Sequence, residues 1–414
     1  MSDLAAAPHA APPAAEPPAE TRAASPAWSS GWSVLIVFLL ALALFLISTG
    51  GKHAYYDNFV RLAYALLHGR LWIDWPGPAI EALEYNGQHY VIEGPVPALL
   101  CIPFVLLFGL DANQAVVCAI AAAIGVAAVW IMLSRMRVSR ETQIWTTALL
   151  GFGTVYWWCA AFGSLWMYAH VAGAMFALLA LAEWYGARRP WLLGVLFACM
   201  AFSRFSMAVA GIPFVIWLLL DTPKGERLRA LVQTALGTLP FIILFALYNY
   251  GRWGTLNDIG YTTWFHEDPV GSRTGSPFQL VFLPGNLYSY LMLPFDYINH
   301  FPWLKPTGYG VALTFTSPAL ALAFFAPRTR ETLFLWMAVL LAAIPSLLYY
   351  VNGFEQFGMR HSLDFTPFLI PLVARGLERV KMWFSYALVA ISLLANAYGV
   401  WYSWAYHAYA VVPN

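Results

Sequence analysis

Charge is what this 414-residue sequence has least of. Only 10% of its residues are Asp, Glu, Lys or Arg, whereas soluble domains carry about 25%. The hydrophobic share is 60%, more apolar surface than a soluble core of this length can bury, so lipid must surround much of the chain. The net charge is only +1, and the absence of a concentrated basic patch excludes nucleic acid as a partner.

Cysteine is also scarce, and we expect no signal peptide in this sequence. The four cysteines (Cys101, Cys118, Cys159, Cys199) lie inside apolar segments without the spacing of a metal site. Residues 1–30 are rich in Ala and Pro, which predicts a disordered cytoplasmic tail. They lack a strong basic region and cleavage site, so we expect the first apolar run, 32–47, to remain as a membrane anchor.

Five basic loops indicate which ends of the apolar segments face the cytoplasm. Lys and Arg collect in cytoplasmic loops, and a crossing needs about 20 apolar residues. If all five loops are cytoplasmic, each interval between them holds an even number of crossings. The basic loops centre on residues 135–140, 188–189, 224–229, 328–330 and 375–381.

This rule predicts an all-α polytopic bundle of 11 transmembrane helices in a single domain, 31–414. The N-terminus lies inside and the C-terminus outside. The stretch 95–109 is short and holds three prolines, so we expect a juxtamembrane helix there instead of a crossing. The predicted crossings are 33–49, 114–134, 143–160, 165–184, two short helices within 191–220, 231–250, 309–326, 332–350, 362–377 and 383–404.

Three polar loops lie on the outer side in this scheme: 50–113, 251–308 and 351–361. In the first, 57–69 has the apolar period of an amphipathic helix lying on the membrane. Further along, Asn86-Gly87 is a strong signal for a two-residue hairpin turn. In the second, the apolar patch 281–294 is too short and too proline-bounded to span.

Ionisable side chains are expensive at a membrane face, so their clustering on one side predicts a site there. The outer carboxylates and cations are Asp57, Asp74, Glu93, Asp258, Arg61, Arg204, Arg273, Lys305 and Arg360. No transporter signature accompanies them, because repeated pairs of broken helices are not visible beyond 191–220.

Three segments resemble the GT-C superfamily of membrane glycosyltransferases, which includes protein O-mannosyltransferases and lipid A aminoarabinose transferases. YYDN (55–58) stands where that superfamily carries an acidic residue soon after its first helix. PVPALLCIPFVLLFG (95–109) is similar to its second juxtamembrane helix, and 192–219 to its short helix pair with a basic tip, here Arg204. The acidic residue here is a lone Asp57, whereas some members have a pair.

The resemblance implies transfer of a sugar from a polyprenyl-phosphate donor to an acceptor hydroxyl on the periplasmic face of a bacterial inner membrane. A carboxylate must take the proton of the hydroxyl, and the leaving phosphate needs positive charge. We therefore expect an inverting displacement with Asp57 as general base and Arg204, Arg360 or Arg273 holding the phosphate. The partners implied are the bilayer, the lipid-linked donor, and a lipid, glycan or protein acceptor. The further candidates for substrate binding are Tyr56, Asn58, Arg61, Asp74, Glu93, His170, Lys305 and His361.

Each candidate also has a plainer interpretation. Asp57 opens a helix and so can serve as its N-cap, or simply pair with Arg61 one turn later. Asp74 and Glu93 are ligands for the acceptor or a divalent cation (Mg²⁺ or Mn²⁺), or else solvated loop charges.

The remaining alternatives concern the basic and histidine candidates and the function as a whole. Arg360 and His361 can be interfacial anchors, and His170 a packing histidine. For the whole protein, the alternative functions are a transporter or flippase of lipid-linked saccharide, or a structural envelope subunit.

Overall fold

The computed structural model describes residues 31–77, 82–268, 273 and 275–409. The predicted disordered tail, 1–30, lies outside the described residues. Most of the described chain is helical, and six of its helices are long and apolar enough to cross a membrane by length and composition. The protein is thus a multi-pass helical membrane protein, whereas the count of 11 crossings stays a prediction. The six helices are Gly31–Ser48, Gln114–Met136, Leu165–Trp184, the helical stretch Lys224–Trp253, Arg330–Leu348 and Met382–Tyr406.

Sixteen α-helices are numbered here in chain order among the described residues. They are α1 (Gly31–Ser48), α2 (Asn58–Leu67), α3 (Val96–Phe108), α4 (Gln114–Met136), α5 (Arg140–Phe152), α6 (Tyr156–Phe162), α7 (Leu165–Trp184), α8 (Pro190–Ala201), α9 (Gly211–Asp221), α10 (Arg227–Trp253), α11 (Gly260–Glu267), α12 (Leu283–Leu291), α13 (Leu313–Thr316), α14 (Arg330–Leu348), α15 (Thr366–Leu377) and α16 (Met382–Tyr406).

Short strands interrupt the helical bundle, so the all-α prediction holds for the bundle but not for its loops. β1 (Ala82–Tyr85) pairs antiparallel with β2 (Gln88–Val91), with Leu83 opposite Tyr90. β3 (Asp296–Tyr297) pairs antiparallel with β4 (Leu304–Lys305), and β5 (Tyr309–Val311) pairs in parallel with β6 (Gln356–Gly358).

Two predicted single helices are wrong. The predicted helix 143–160 is two helices, α5 and α6, because the chain turns at Gly153, which ends α5. The predicted helix 309–326 begins as strand β5 and continues through α13 into a 3-10 helix, Pro318–Phe325. Pro318 lacks the N–H of a helix interior and follows Ser317, whose backbone is not helical.

The predicted helix 362–377 begins later than expected. A 3-10 turn, Arg360–Asp364, precedes α15, which starts at Thr366 with a proline in its first turn. Proline is well tolerated there because the first helical N–H groups have no partner within the helix. This late start leaves Arg360, His361 and Asp364 in a turn at the end of the bundle.

The helices pack closely through small residues, as is usual in membrane bundles. Gly194 of α8 lies against the backbone of α10: a Cβ on it would stand 2.2 Å from the Thr234 carbonyl oxygen. Gly237 of α10 meets the Trp191 carbonyl in the same way, at 2.1 Å. Neither position accepts a side chain, so these glycines fix the approach of α8 and α10.

Loop one follows its predicted order. α2 stands where the amphipathic helix was expected, and α3 covers the predicted juxtamembrane stretch. Between them Asn86 and Gly87 both have positive φ, 52° and 75°, as the two-residue turn of a hairpin requires. α2 packs on α3, so loop one forms a folded cover whose elements support each other.

Candidate functional site

Asp57 immediately precedes α2, yet it does not cap that helix. Its side chain accepts no capping hydrogen bond. Instead, Gln114 at the start of α4 reaches across: its Oε1 accepts from the N–H groups of Phe59 (3.0 Å) and Val60 (3.3 Å). These are the N2 and N3 donors that an N-cap side chain normally satisfies. The capping interpretation of Asp57 is therefore wrong.

The Asp57 carboxylate pairs with Arg61 instead. Arg61 Nε donates to Asp57 Oδ1 at 2.7 Å, one helical turn along α2. The two side chains are 22% and 23% exposed, so the pair is reachable from solvent on one side. The predicted pairing of Asp57 with Arg61 is confirmed, and it leaves a half-buried carboxylate beside a guanidinium at the surface of loop one.

A run of aromatic rings connects this pair to the turn before α15. The Arg61 guanidinium lies 5.5 Å from the Trp75 ring, and Trp75 faces Tyr56 at 6.3 Å between centroids. Tyr56 meets the edge of Trp166 at 4.9 Å, and the Arg360 guanidinium lies 5.6 Å from the Trp166 ring. Two arginines from distant parts of the chain therefore stand at the two ends of one aromatic run.

Beside Arg61 lies an open pocket of about 510 Å³, within the range of small-ligand sites. Polar and aromatic side chains of loop one and the β1–β2 hairpin surround it. Its lining consists of Arg61, Trp72, Ile73, Asp74, Trp75, Pro76, Gly87, Gln88 and His89. A ligand in this pocket would contact Arg61, whose partner is Asp57.

Arg360 and His361 are buried within the protein, which argues against their role as anchors reaching for lipid headgroups. Arg360 Nη1 donates to the Phe354 carbonyl at 2.7 Å, and this bond holds the turn before α15 closed. The His361 ring lies 5.1 Å from that of His170. The turn therefore connects the aromatic run to a deeper polar cluster.

Asp364 is the centre of that cluster and is completely buried. Its Oδ1 accepts from His170 Nδ1 at 2.9 Å and from Arg204 Nε at 3.3 Å. Its Oδ2 accepts from Arg204 Nη2 at 3.2 Å and from the hydroxyls of Ser206 and Ser346. Burial alone would raise the pKa of Asp364, but the neighbouring Arg204 guanidinium holds that pKa well below its ordinary value.

The segment between α8 and α9 carries Arg204 into this cluster. Arg204 was expected to hold phosphate, and in the structure it pairs with the Asp364 carboxylate. His170 was a candidate for substrate binding, with a packing histidine as the plainer interpretation. It is half satisfied, because its Nε2 is buried with no hydrogen-bond partner among the described residues.

Glu93 does not behave as a solvated loop charge, since only 2% of it is exposed. The next residue, Gly94, lies against the end of α8, because a Cβ on Gly94 would lie 2.0 Å from the Phe202 carbonyl oxygen. Val96 N–H also donates to that oxygen, at 3.3 Å. Loop one and the segment that carries Arg204 are therefore in contact.

The other candidates divide into buried and outlying residues. Tyr56 and Asn58 are buried, and the Asn58 amide has no hydrogen-bond partner in the described part of the chain. Asp74 is 78% exposed and pairs with Arg70, as a solvated charge does, although it lines the pocket. Arg273 and Lys305 are exposed on loop two, and no described contact joins them to Asp57.

Sequence reasoning missed the residues that organise the site, above all Gln114 and Asp364. Asp364 carried a signal, because an acid beside an apolar helix start in a membrane protein needs a partner. Gln114 carried no such signal, since nothing in its local sequence distinguishes it from any other residue at the start of a helix. Within 31–77, 82–268, 273 and 275–409, no group of three His, Cys, Asp or Glu residues is placed to hold a metal ion, and so we derive no step through a cation.

No model of a protein family matches the chain, and no curated protein matches its sequence. Among solved structures it is similar to ArnT from Cupriavidus metallidurans bound to undecaprenyl phosphate, at 17% identity and TM-score 0.48, over 88% of this chain and 63% of that one. It is also similar to the Archaeoglobus fulgidus oligosaccharyltransferase in its apo form, at 14% identity and TM-score 0.49, over 94% and 57%.

A third similar structure is AglB from Archaeoglobus fulgidus with an inhibitory peptide and a dolichol-phosphate, at 15% identity and TM-score 0.48, over 94% and 57%. ArnT and AglB are membrane glycosyltransferases of the GT-C superfamily. The chain spans about three fifths of the length of each of these proteins. TM-scores below 0.5 at such identities establish neither a shared fold nor a shared activity.

Proposed function

We propose that this protein is a membrane glycosyltransferase that moves a sugar from a polyprenyl-phosphate donor to an acceptor hydroxyl, with inversion at the anomeric carbon. One observation carries the proposal. The Asp57 carboxylate is partly exposed, released from helix capping, and paired with an arginine that lines a pocket of about 510 Å³. A partly exposed carboxylate whose partner arginine lines a pocket suits a general base.

The chemistry assigned to Asp57 is proton removal. A hydroxyl is a weak nucleophile, so Asp57 takes its proton as the oxygen attacks the anomeric carbon. The new glycosidic bond forms on the face opposite the breaking bond to phosphate, which inverts the configuration. Arg61 keeps the carboxylate oriented until the acceptor arrives.

The phosphate leaves without an acid but needs positive charge as the bond breaks. Arg360 is our first candidate for this role, because its guanidinium lies over Trp166 at the inner end of the aromatic run. Arg204 is the second candidate. It ranks below Arg360 because it already forms an ion pair with Asp364. Arg273, exposed on loop two, would need loop two to fold over the site.

The lipid tail of the donor requires apolar surface beside this polar site. Leu106, Leu107 and Phe108 of α3 are exposed and offer such a surface within loop one. In the proposal the membrane-spanning helices cross a bacterial inner membrane, the N-terminus is cytoplasmic, and the C-terminus and the three outer loops are periplasmic. The acceptor is a lipid, glycan or protein hydroxyl that enters through the pocket.

The test is Asp57→Asn in purified protein reconstituted with a polyprenyl-phosphate sugar and an acceptor extract from the same membrane. We expect transfer to fall about 100-fold to 10,000-fold, the usual contribution of a general base. Asp111→Asn is the matched control, because Asp111 is another exposed acid of loop one. Transfer by Asp57→Asn at the wild-type rate would exclude Asp57 as the base.

The transporter alternative predicts a different result when the protein is reconstituted in liposomes with a fluorescent lipid-linked sugar. A flippase would move that sugar between leaflets without forming a glycosidic bond. Leaflet exchange without transfer, unaffected by Asp57→Asn, would favour the transporter.

A further inference from the structure

Gln114 makes every hydrogen bond that a side-chain amide can make. Its Oε1 accepts from the N–H groups of Phe59 and Val60, and its Nε2 donates to the carbonyls of Tyr56 (3.0 Å) and Gly163 (2.8 Å). Gln114 is almost fully buried. An amide that uses both acceptor sites and both donors in a buried position is strongly constrained in direction.

The two bonds that Oε1 accepts do for α2 what its own N-cap residue would otherwise do. The first N–H groups of a helix need acceptors, and a preceding Asp normally supplies one from its side chain. Here the acceptor comes from another helix, 54 and 55 residues away along the chain. The Asp57 carboxylate is thereby left to Arg61.

The contact on which this depends is also fixed from the other side. Gly163 has a positive φ, +56°, and a Cβ on it would lie 2.7 Å from Ala115 Cα. Leu165 N–H donates to the Tyr56 carbonyl at 3.0 Å. The corner before α7, which carries Trp166, and the start of α2 therefore meet around Gln114.

We propose that Gln114 is a positioning residue: it caps α2 in place of Asp57 and so keeps the Asp57 carboxylate directed to Arg61 and the pocket. The capping half of this inference stands on geometry alone. The catalytic half rests on the proposed function, because only a base needs its carboxylate kept free.

A double-mutant cycle on stability tests the capping half without any substrate. In otherwise unchanged protein, Asp57→Ala removes only a partly exposed ion pair, so we expect a small fall in Tm. In a Gln114→Met background the Phe59 N–H loses its acceptor and attracts the Asp57 side chain, whereas the Val60 N–H keeps its bond to the Asp57 backbone carbonyl. Asp57→Ala then removes a helix cap. We expect the same substitution to shift the unfolding equilibrium about fivefold more in that background, the usual effect of a cap.

Two further variants make the cycle specific. Gln114→Glu keeps an acceptor for Phe59 and Val60, so Asp57→Ala in that background should again have only its small effect. Gln143→Met is the matched control, because Gln143 is a buried glutamine that bonds the Trp130 carbonyl away from α2. If Gln114→Met does not fold, Gln114→Asn, one methylene shorter, serves in its place. Equal Tm shifts for Asp57→Ala in all backgrounds would overturn the inference.

Activity separates this inference from the proposed function. We expect Gln114→Met to lower kcat at least tenfold with KM nearly unchanged, since the carboxylate turns from the pocket while the pocket stays. If Asp57→Asn abolishes transfer but Gln114→Met leaves kcat intact, the positioning role fails and the proposed function stands. If Asp57→Asn transfers sugar at the normal rate while the stability cycle shows coupling between Asp57 and Gln114, the assignment of Asp57 as base fails. The capping of α2 by Gln114 then still stands.

Discussion

The protein contains two carboxylate–arginine pairs that share chemistry and differ in surroundings. Asp57 immediately precedes α2 and Arg61 lies in its first turn; both are partly exposed, and one short hydrogen bond joins them. Asp364 and Arg204 come from positions 160 residues apart, and Asp364 is fully buried and saturated with five hydrogen bonds.

The difference indicates which pair is available for chemistry. A buried carboxylate that already accepts five hydrogen bonds has no lone pair left for a substrate proton. Asp364 therefore suits a structural role, in which it joins the segment between α8 and α9 to the turn before α15. A partly exposed carboxylate with one partner can exchange that partner for an acceptor hydroxyl. We therefore propose that the chemistry takes place at Asp57 and that Asp364 stabilises the fold.

The substitution Asp364→Asn is the strongest test of this difference between the two ion pairs. Removing one member of a buried ion pair leaves Arg204 charged and uncompensated, which costs about 3–5 kcal/mol. We expect a large fall in Tm in detergent, or failure to accumulate in the membrane. Asp57→Asn measured alongside should change stability by less than about 1 kcal/mol; equal losses would contradict the division of roles.

Acid should test the stabilising role of Asp364. The pKa of Asp364 in the folded protein lies below its ordinary value, so its stabilisation is complete above the ordinary Asp pKa of about 3.9. It is lost as the pH falls below that value and protons favour the unfolded chain. Thermal unfolding between pH 3 and 7 should decline at the acid end for wild type, and less so for Asp364→Asn if that variant folds.

His170→Phe should weaken the buried cluster without dismantling it. The ring volume is retained, and Asp364 Oδ1 loses one of its two donors while Arg204 remains. A buried group that loses one hydrogen bond costs about 1–3 kcal/mol, measurable as a fall in Tm. His68→Phe, an exposed histidine that bonds only the Tyr64 carbonyl one turn away, should leave Tm nearly unchanged; the reverse order would refute the cluster's role.

Arg61→Gln should have the smallest effect on stability and still affect transfer. An exposed ion pair within a helix contributes about 0–1 kcal/mol, so Tm should barely move. Transfer should fall, because the Asp57 carboxylate loses the group that orients it at the pocket. Unchanged transfer with an altered Tm would mean that the pair is structural after all.

Much of the fold follows from local pattern. The six long apolar helices, the Asn86-Gly87 turn and the helix at 96–108 all come from periodicity, turn chemistry and proline placement. The errors also have a local cause. Apolar composition alone does not distinguish one helix from two, so the break at Gly153 and the strand and 3-10 segment within 309–326 went unpredicted.

The amino-acid sequence by itself determined a polytopic helical membrane protein, a folded first loop, and Asp57 next to Arg61, because hydropathy, turn residues and one-turn spacing act over a few residues. Only the tertiary structure decided that Gln114 caps α2, that Arg204 belongs to Asp364, and that Trp75, Tyr56 and Trp166 join two arginines. The contacts of Gln114 and Arg204 link segments 54 to 160 residues apart, and their geometry depends on how the helices pack, which no local pattern encodes.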